Sequence, residues 1–376
     1  MRICIAIEKF NPQVGGAERY CWDLAHFLAG RGHDVKIVCM SAQDTSHDSI
    51  HIIRLTCIRF PQALRHLSFA LLHRRMARSL SDHIHFCVGN TCFMDVYQPH
   101  GGVHAAWFDR DSLRYDSHML TASRFFRRMS LKDMIQRSLE WWTFRVQRPR
   151  VIAISDMVAQ DIRDRFEYPS SLITLIPNGI DTRRFTEHNS IYRSEIRDRY
   201  GLSEDDFVFL FVAQNFTLKG FDVLLEAAHK LGRGSCRILL IGPADAAVRR
   251  KAALYGNSLV IGGRASDMEK IYPACDCLVH PTFYDACSLV VLESLACGLP
   301  VITTSVNGAS MYLNERTGIV IPPGDSERLE EAMLAMMGRK RTSAEMTFKN
   351  HDEVFSDVED VLIQEEVRRS TGKGGQ

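Results

Sequence analysis

Short runs of branched apolar residues alternate along this chain with longer stretches that place an apolar side chain at every third or fourth position. Residues 2–7 form the first run, fit for a strand buried on both faces. Gly15 and Gly16 break the chain, and residues 17–30 carry Tyr20, Leu24, Phe27 and Leu28 at helical spacing before Gly30 and Gly32 end it. Further strands are predicted at 35–40, 84–88, 151–154 and 172–176. After the turn Pro177-Asn178-Gly179-Ile180-Asp181 the pattern restarts, with strands predicted at 207–212, 236–241, 258–261, 277–280 and 300–303 and helices at 221–231 and 289–296. Helical spacing returns at 354–368, and a tail at 370–376 is expected to be disordered. Strands alternating with helices predict parallel sheets covered on both faces. The fold class expected is therefore α/β, with two Rossmann-like doubly wound domains facing a cleft. They are assigned to residues 1–182 and 183–352, with 353–376 as a C-terminal helix and tail free to pack back on the first domain.

A length of 376 residues agrees with two domains at roughly 100–200 residues each. The net charge of +1, from 46 basic and 45 acidic side chains, argues against a nucleic-acid partner. The balance is uneven, because residues 1–190 carry 25 basic and 19 acidic side chains. Much of that surplus lies in two stretches. Residues 59–80 hold Arg59, Arg65, Arg74, Arg75 and Arg78. Residues 123–148 hold Arg124, Arg127, Arg128, Lys132, Arg137, Arg145 and Arg148 around Phe125, Phe126, Trp141 and Trp142. Basic helices with aromatics suit an anionic membrane surface. They equally suit a solvated face whose arginines pair with neighbours, and both readings stay open. The opening apolar run ends at Glu8-Lys9, too soon for a signal peptide. The longest apolar stretch, 288–303, is interrupted by Glu293 and falls short of the roughly 18–20 residues of a membrane span. Eleven scattered cysteines without a C-x-x-C pair suit a reducing cytosol. The expected location is cytoplasmic, with peripheral attachment to the inner face of the membrane left open.

Three segments could carry chemistry. In Gly15-Gly16-Ala17-Glu18-Arg19, the glycines follow a strand and open a helix, where a backbone can approach a phosphate; a plain tight turn reads the same. Lys219, in the segment 211–220, lies between a strand and a helix, at the sheet edge where α/β folds bind ligands, and is a point charge suited to a diphosphate. In the segment 283–300, Asp285 precedes a helix whose first amides, at Ser288 and Leu289, are expected to be free for an anion. Glu293 sits within that apolar helix, where burial is costly unless a partner such as a sugar hydroxyl is present.

The order and spacing of four motifs resemble the retaining glycosyltransferases of family four (glycosyltransferase group 1). They are Gly15-Gly-Ala-Glu-Arg19, Ile176-Pro-Asn-Gly-Ile-Asp181, Asn215-Phe-Thr-Leu-Lys-Gly220, and the acid Asp285 eight residues before Glu293. Among better-known members, the lipopolysaccharide-core glucosyltransferases look closest in the segment 285–298. The resemblance implies a GT-B architecture, a nucleotide-sugar donor on the C-terminal domain and a glycan or glycolipid acceptor on the N-terminal one. It implies that Lys219 neutralises the diphosphate and that Asp285 meets the sugar hydroxyls. Glu293 would bind the ribose, and Asn215, Ser288, Leu289, Gly15 and Gly16 would complete the donor site. Gln98-Pro-His100-Gly101-Gly102 would be the acceptor-side loop, with His100 near the reacting carbon. UDP-glucose is the default donor, and no cofactor or metal is implied. The D-x-D at Asp109–Asp111 lies in a polar stretch expected to be mobile and reads as chance. Two departures stand out: Gln214 and Asn215 replace the usual basic residue ahead of the lysine, and Asp285 stands where a glutamate is usual. A sugar-nucleotide epimerase of the same fold and a Rossmann oxidoreductase are the alternatives from other classes.

Overall fold

The apolar runs become strands of two parallel sheets in a computed structural model that describes residues 1–45, 47–89, 91–114, 130–232, 234, 236–339 and 347–372. Two compact units result. The first takes in residues 1–108, 130–177 and 351–372, and the second Asp109–Arg114 and Asn178–Asn350.

In the first unit the elements run β1 (Arg2–Ala6), β2 (Lys9–Phe10), α1 (Gly16–Gly30), β3 (Asp34–Cys39), β4 (Ser41–Ala42), β5 (Ile50–Arg54) and α2 (Gln62–Ser79). They continue with β6 (Ile84–Cys87), β7 (Val96–Tyr97), α3 (His104–Asp111), β8 (Arg150–Ala153) and β9 (Ile173–Leu175). Seven strands order as β5-β3-β1-β6-β7-β8-β9, and β2 pairs separately with β4. Ile3, Ile5, Val35 and Ile37 point to one face, packed by Leu24 and Leu28 of α1. The alternate residues Cys4 and Val38 point to the other face, beside Leu80. Burial on both faces is what makes such strands read as continuous apolar runs. The C-terminal helix, His351–Gly372, adds Val354, Phe355, Val358, Val361 and Leu362 to the first of these cores. It extends into the stretch expected to be disordered, since residues 370–372 are helical; residues 373–376 lie outside the described residues. Arg369 anchors its last turns through Asp95 (2.9 Å) and the carbonyls of His83 and Ser81.

The second unit contains β10 (Val208–Val212), β11 (Arg237–Ile241), β12 (Leu259–Gly263), β13 (Cys277–His280), β14 (Val301–Thr304) and β15 (Gly318–Ile321). Their order, β12-β11-β10-β13-β14-β15, is the 3-2-1-4-5-6 arrangement of dinucleotide-binding domains. Strand order reverses between β10 and β13, so the crevice at the carboxyl ends of those strands is where such a sheet binds ligands.

The basic stretches are largely paired where they are described. Arg65 lies 3.2 Å from Glu8, Arg137 lies 2.7 Å from Asp133, and Arg74 stacks over Trp142. Arg75 and Arg78 are exposed, as are Leu71 and Trp141 at 51% and 56%. Arg124, Phe125, Phe126, Arg127 and Arg128 lie outside the described residues. Asp109–Asp111 corrects an expectation: it ends α3 rather than occupying a mobile stretch, and Asp111 is buried 2.8 Å from Arg114. Among the described residues no helix is long and apolar enough to cross a membrane.

Candidate active site

In the second unit the loops after β10 and β13 are locked together. Asn215 Oδ1 accepts the Leu218 amide (3.1 Å), while the Lys219 amide donates to the Asn215 carbonyl (3.1 Å). Gly220 follows with φ +79°, and a Cβ there would fall 2.0 Å from the Pro281 carbonyl oxygen, so no other residue fits without backbone movement. The Phe283 amide donates to the Leu218 carbonyl (3.0 Å). This close approach brings the Lys219 ammonium to 2.5 Å from Asp285 Oδ2. His280 Nε2 lies 3.4 Å from the same oxygen and 3.4 Å from Ser288 Oγ. Burial pushes the Asp285 carboxyl up, but the Lys219 charge and the His280 contact outweigh it and hold the group well below the usual carboxylate range. Burial pushes His280 down, which favours the neutral imidazole.

Sequence reasoning missed His280. It is the last residue of the apolar strand Cys277-Leu-Val-His280, and no local motif marks it. The geometry also corrects the view of the helix Leu289–Ala296. Its N-cap is Ser288, whose amide donates to Asn307 Oδ1 (3.4 Å) and is therefore not a free donor. Asn307 reaches this position because its segment bridges Asp285. Leu289 is the first residue of that helix, so its amide has no intrahelical acceptor. Glu293 is half-buried and accepts the Tyr272 hydroxyl at Oε2 (2.7 Å); burial pushes its carboxyl up to about 7.

In the first unit, Gly15 caps α1 in an extended conformation and Gly16 is the exposed first residue of that helix. The Glu18 carboxylate fills the space a Gly15 side chain would need, coming within 2.7 Å of an ideal Cβ. After β7 the chain turns sharply: the His100 amide donates to the Gln98 carbonyl (2.9 Å), and the Gly102 amide to the Pro99 carbonyl (2.9 Å). Gly102 takes φ +72°. The His100 ring lies against Tyr20 at a centroid distance of 4.2 Å. Burial pushes His100 down to about 4. Its Nε2 is buried with no partner among the described residues, and the buried Gln98 amide beside Tyr20 lacks one of good geometry. Buried polar atoms are nearly always satisfied, which makes this pair conspicuous. Gly101 and Gly102 also line a cavity of about 700 Å³, with Glu8, Glu18, His104, Trp107 and Asp133. His104 Nε2 contacts Asp133 Oδ1 (2.8 Å), and Glu140 accepts the amides of His104 (2.5 Å) and Ala105 (3.0 Å) at the start of α3.

The candidate residues thus fall into two groups. Lys219, Asp285 and Ser288 meet, with His280, at the switch point of the second sheet. Asn215 lies in the loop that carries Lys219, and Leu289 and Glu293 lie on the helix that follows Ser288, Glu293 bonded to Tyr272. Gly15, Gly16, His100, Gly101 and Gly102 belong to the first unit. Residues 14–184 match the model of glycosyltransferase family 4, and residues 206–339 that of the group 1 glycosyl transferases. The chain belongs to the family 4, group 1 glycosyltransferases. Along its length this transferase is similar to the lipopolysaccharide glucosyltransferase WaaG of Escherichia coli K12, at 22% identity over 389 residues, covering 100% of this chain and 99% of that one. The crystal structure of WaaG matches with a TM-score of 0.75 at 20% identity over the whole of both chains. Anabaena Alr3699/HepE in complex with UDP and glucose matches with a TM-score of 0.63 at 17% identity, again over both chains in full. The transferase therefore has the GT-B fold.

Proposed function

We propose that this transferase moves a hexose from a nucleotide sugar, with UDP-glucose as the first donor to test, to a saccharide or lipid-linked glycan such as a lipopolysaccharide core. Transfer retains the anomeric configuration and needs no metal ion. The observation that supports this most is the Lys219–Asp285 pair at the carboxyl edge of β10 and β13. The likeness to WaaG, and to HepE with UDP and glucose bound, supports the choice of donor and acceptor class.

Without donor, Lys219 is held by one carboxylate. A diphosphate carries more negative charge, so the ammonium turns to it and releases Asp285 to accept hydrogen bonds from the donor sugar. The Leu289 amide, at the positive end of its helix, adds a second contact to the phosphates. Lys219 then stabilises the charge that grows on the leaving diphosphate as the glycosidic bond breaks. Asp285 serves as a sugar contact rather than a nucleophile, so retention follows from attack on the face the diphosphate leaves, with a phosphate oxygen taking the acceptor's proton. Glu293 binds the ribose, and Asn215, Ser288, Gly15 and Gly16 are the further donor contacts. His100 hydrogen-bonds the donor sugar through the Nε2 that lacks a partner. Gly101, Gly102 and the neighbouring cavity receive the acceptor. The enzyme works in the cytoplasm, with exposed Arg75, Arg78, Leu71 and Trp141 resting on the anionic inner face of the membrane.

A thermal-shift screen of UDP-, GDP- and ADP-sugars tests the donor, because a bound donor raises the melting temperature by mass action. The expected result is a rise with UDP-glucose. Silence with every nucleotide sugar would sink the reading. The anomeric signal of the product tests retention, and an unchanged rate in chelator tests metal independence.

A further inference from the structure

On the face of the first sheet covered by α2, three side chains with metal-binding atoms meet in the core. Cys4 of β1 and His85 of β6 are register partners on adjacent strands, so both project to the same face. His73 of α2 lies against them. Their ligand atoms lie within 4.8 Å of one another, and each residue is 0% exposed. None has a part in the transfer proposed above.

The hydrogen bonding of the two imidazoles points to a missing ligand. Both ring nitrogens of His73 are buried without a partner among the described residues. A neutral imidazole has one donor and one acceptor, and folded proteins normally satisfy both. His85 Nε2 lies 3.1 Å from the Leu80 carbonyl, which can only accept, so the proton sits on Nε2. That leaves the Nδ1 lone pair, which is also buried and unpartnered. One ring nitrogen donating to a carbonyl while the other presents a lone pair is how metal-binding histidines are oriented. Val38, Leu80 and Ile53 pack around Cys4 and exclude water.

We propose that Cys4, His73 and His85 form a buried site for one thiophilic d¹⁰ cation, Zn²⁺ or Cu⁺, that ties β1, β6 and α2 together. On binding, the Cys4 S–H bond breaks, its proton passes to solvent, and the thiolate sulfur and two imidazole nitrogens bond to the ion. One sulfur and two nitrogens suit these cations and not Mg²⁺ or Ca²⁺, which prefer oxygen. The site lies in the first unit and Lys219 and Asp285 in the second, so it stands or falls independently of the donor chemistry.

The full chain, produced with zinc or copper(I) supplied, is dialysed against chelator and examined by elemental analysis and X-ray absorption. The expected result is one retained ion, zinc in one arm or copper in the other, with one sulfur at about 2.3 Å and two nitrogens at about 2.0 Å for zinc. Cys4→Ser should remove the sulfur scatterer, and His73→Phe should abolish retention while far-ultraviolet circular dichroism stays native. Should either variant fail to fold, cobalt(II) substitution of the unaltered chain decides, through the presence of thiolate-to-cobalt charge-transfer absorption. No retained ion, or a shell without sulfur, overturns the proposal and leaves a thiol and two imidazoles packed as ordinary core.

Discussion

The candidate residues of the two units differ in how far their polar atoms are already paired. At the switch point of the second sheet, Lys219, Asp285, His280 Nε2 and Ser288 already occupy one another, and of this cluster His280 Nδ1 alone is buried without a partner among the described residues. In the first unit, His100 Nε2 and the Gln98 amide are buried and unoccupied. A satisfied cluster must exchange partners to bind a ligand, whereas an unsatisfied one gains hydrogen bonds without losing any. Changes in the first case therefore disturb the resting fold as well as function, and in the second they chiefly disturb function.

The largest expected effect tests the first half of that contrast. Lys219→Ala should slow transfer about 10²–10³-fold and also lower the melting temperature, because Asp285 is left half-buried without its cation. Adding Asp285→Asn should restore much of the melting temperature and none of the rate. Near-normal turnover in the single variant would exclude the role given to Lys219. His100→Ala tests the other half: loss of about 10- to 100-fold in rate, from a hydrogen bond worth roughly 1.5–3 kcal/mol, with a near-native melting temperature. An unchanged rate would make His100 a loop residue only.

Vesicle sedimentation comes next. Arg75→Ala with Arg78→Ala should weaken binding to anionic vesicles by roughly 2 kcal/mol in total, and more weakly at high salt. Sedimentation equal to the unaltered chain would mean these exposed arginines are simply solvated. The smallest effect is a pH dependence. Glu293 titrates near 7 in the folded chain against an ordinary 4.5, because of burial. The folded state therefore holds the proton more tightly, and the associated stability is complete below about pH 4.5 and is lost as pH rises through 7. Glu293→Gln should raise the melting temperature relative to the unaltered chain more at pH 8 than at pH 5. Donor affinity of the unaltered chain should fall as pH drops below 7, and a flat profile would contradict ribose binding by the carboxylate.

The strands buried on both faces were legible because apolar side chains fill most of their positions. β5 was not, since Ile50-His-Ile-Ile-Arg54 is an edge strand with polar positions; β7 has only two residues, and β15 is the edge strand of the second sheet, where Val320 is 44% exposed. In the site, Lys219 and Asp285 carry local signals, a lysine at a helix start and an acid before one. The Asn307 side chain that occupies the Ser288 amide is 19 residues away, and His280 is concealed in an apolar strand. Such contacts depend on strand order, which no window of sequence contains. Tyr20 illustrates the converse, because helical spacing placed it on an apolar face while its ring in fact also supports His100.

The return of the C-terminal helix to the first sheet has a consequence for biosynthesis. Five of the residues in that core, from Val354 to Leu362, leave the ribosome only after the segment Asn178–Asn350. The segment Asn178–Asn350 emerges earlier and contains nearly all of its own unit. Domains usually mature in the order of their synthesis. Here the first unit keeps an apolar face open until the helix His351–Gly372 has followed the second unit out of the ribosome, so the nascent chain can complete its second unit before it closes the first.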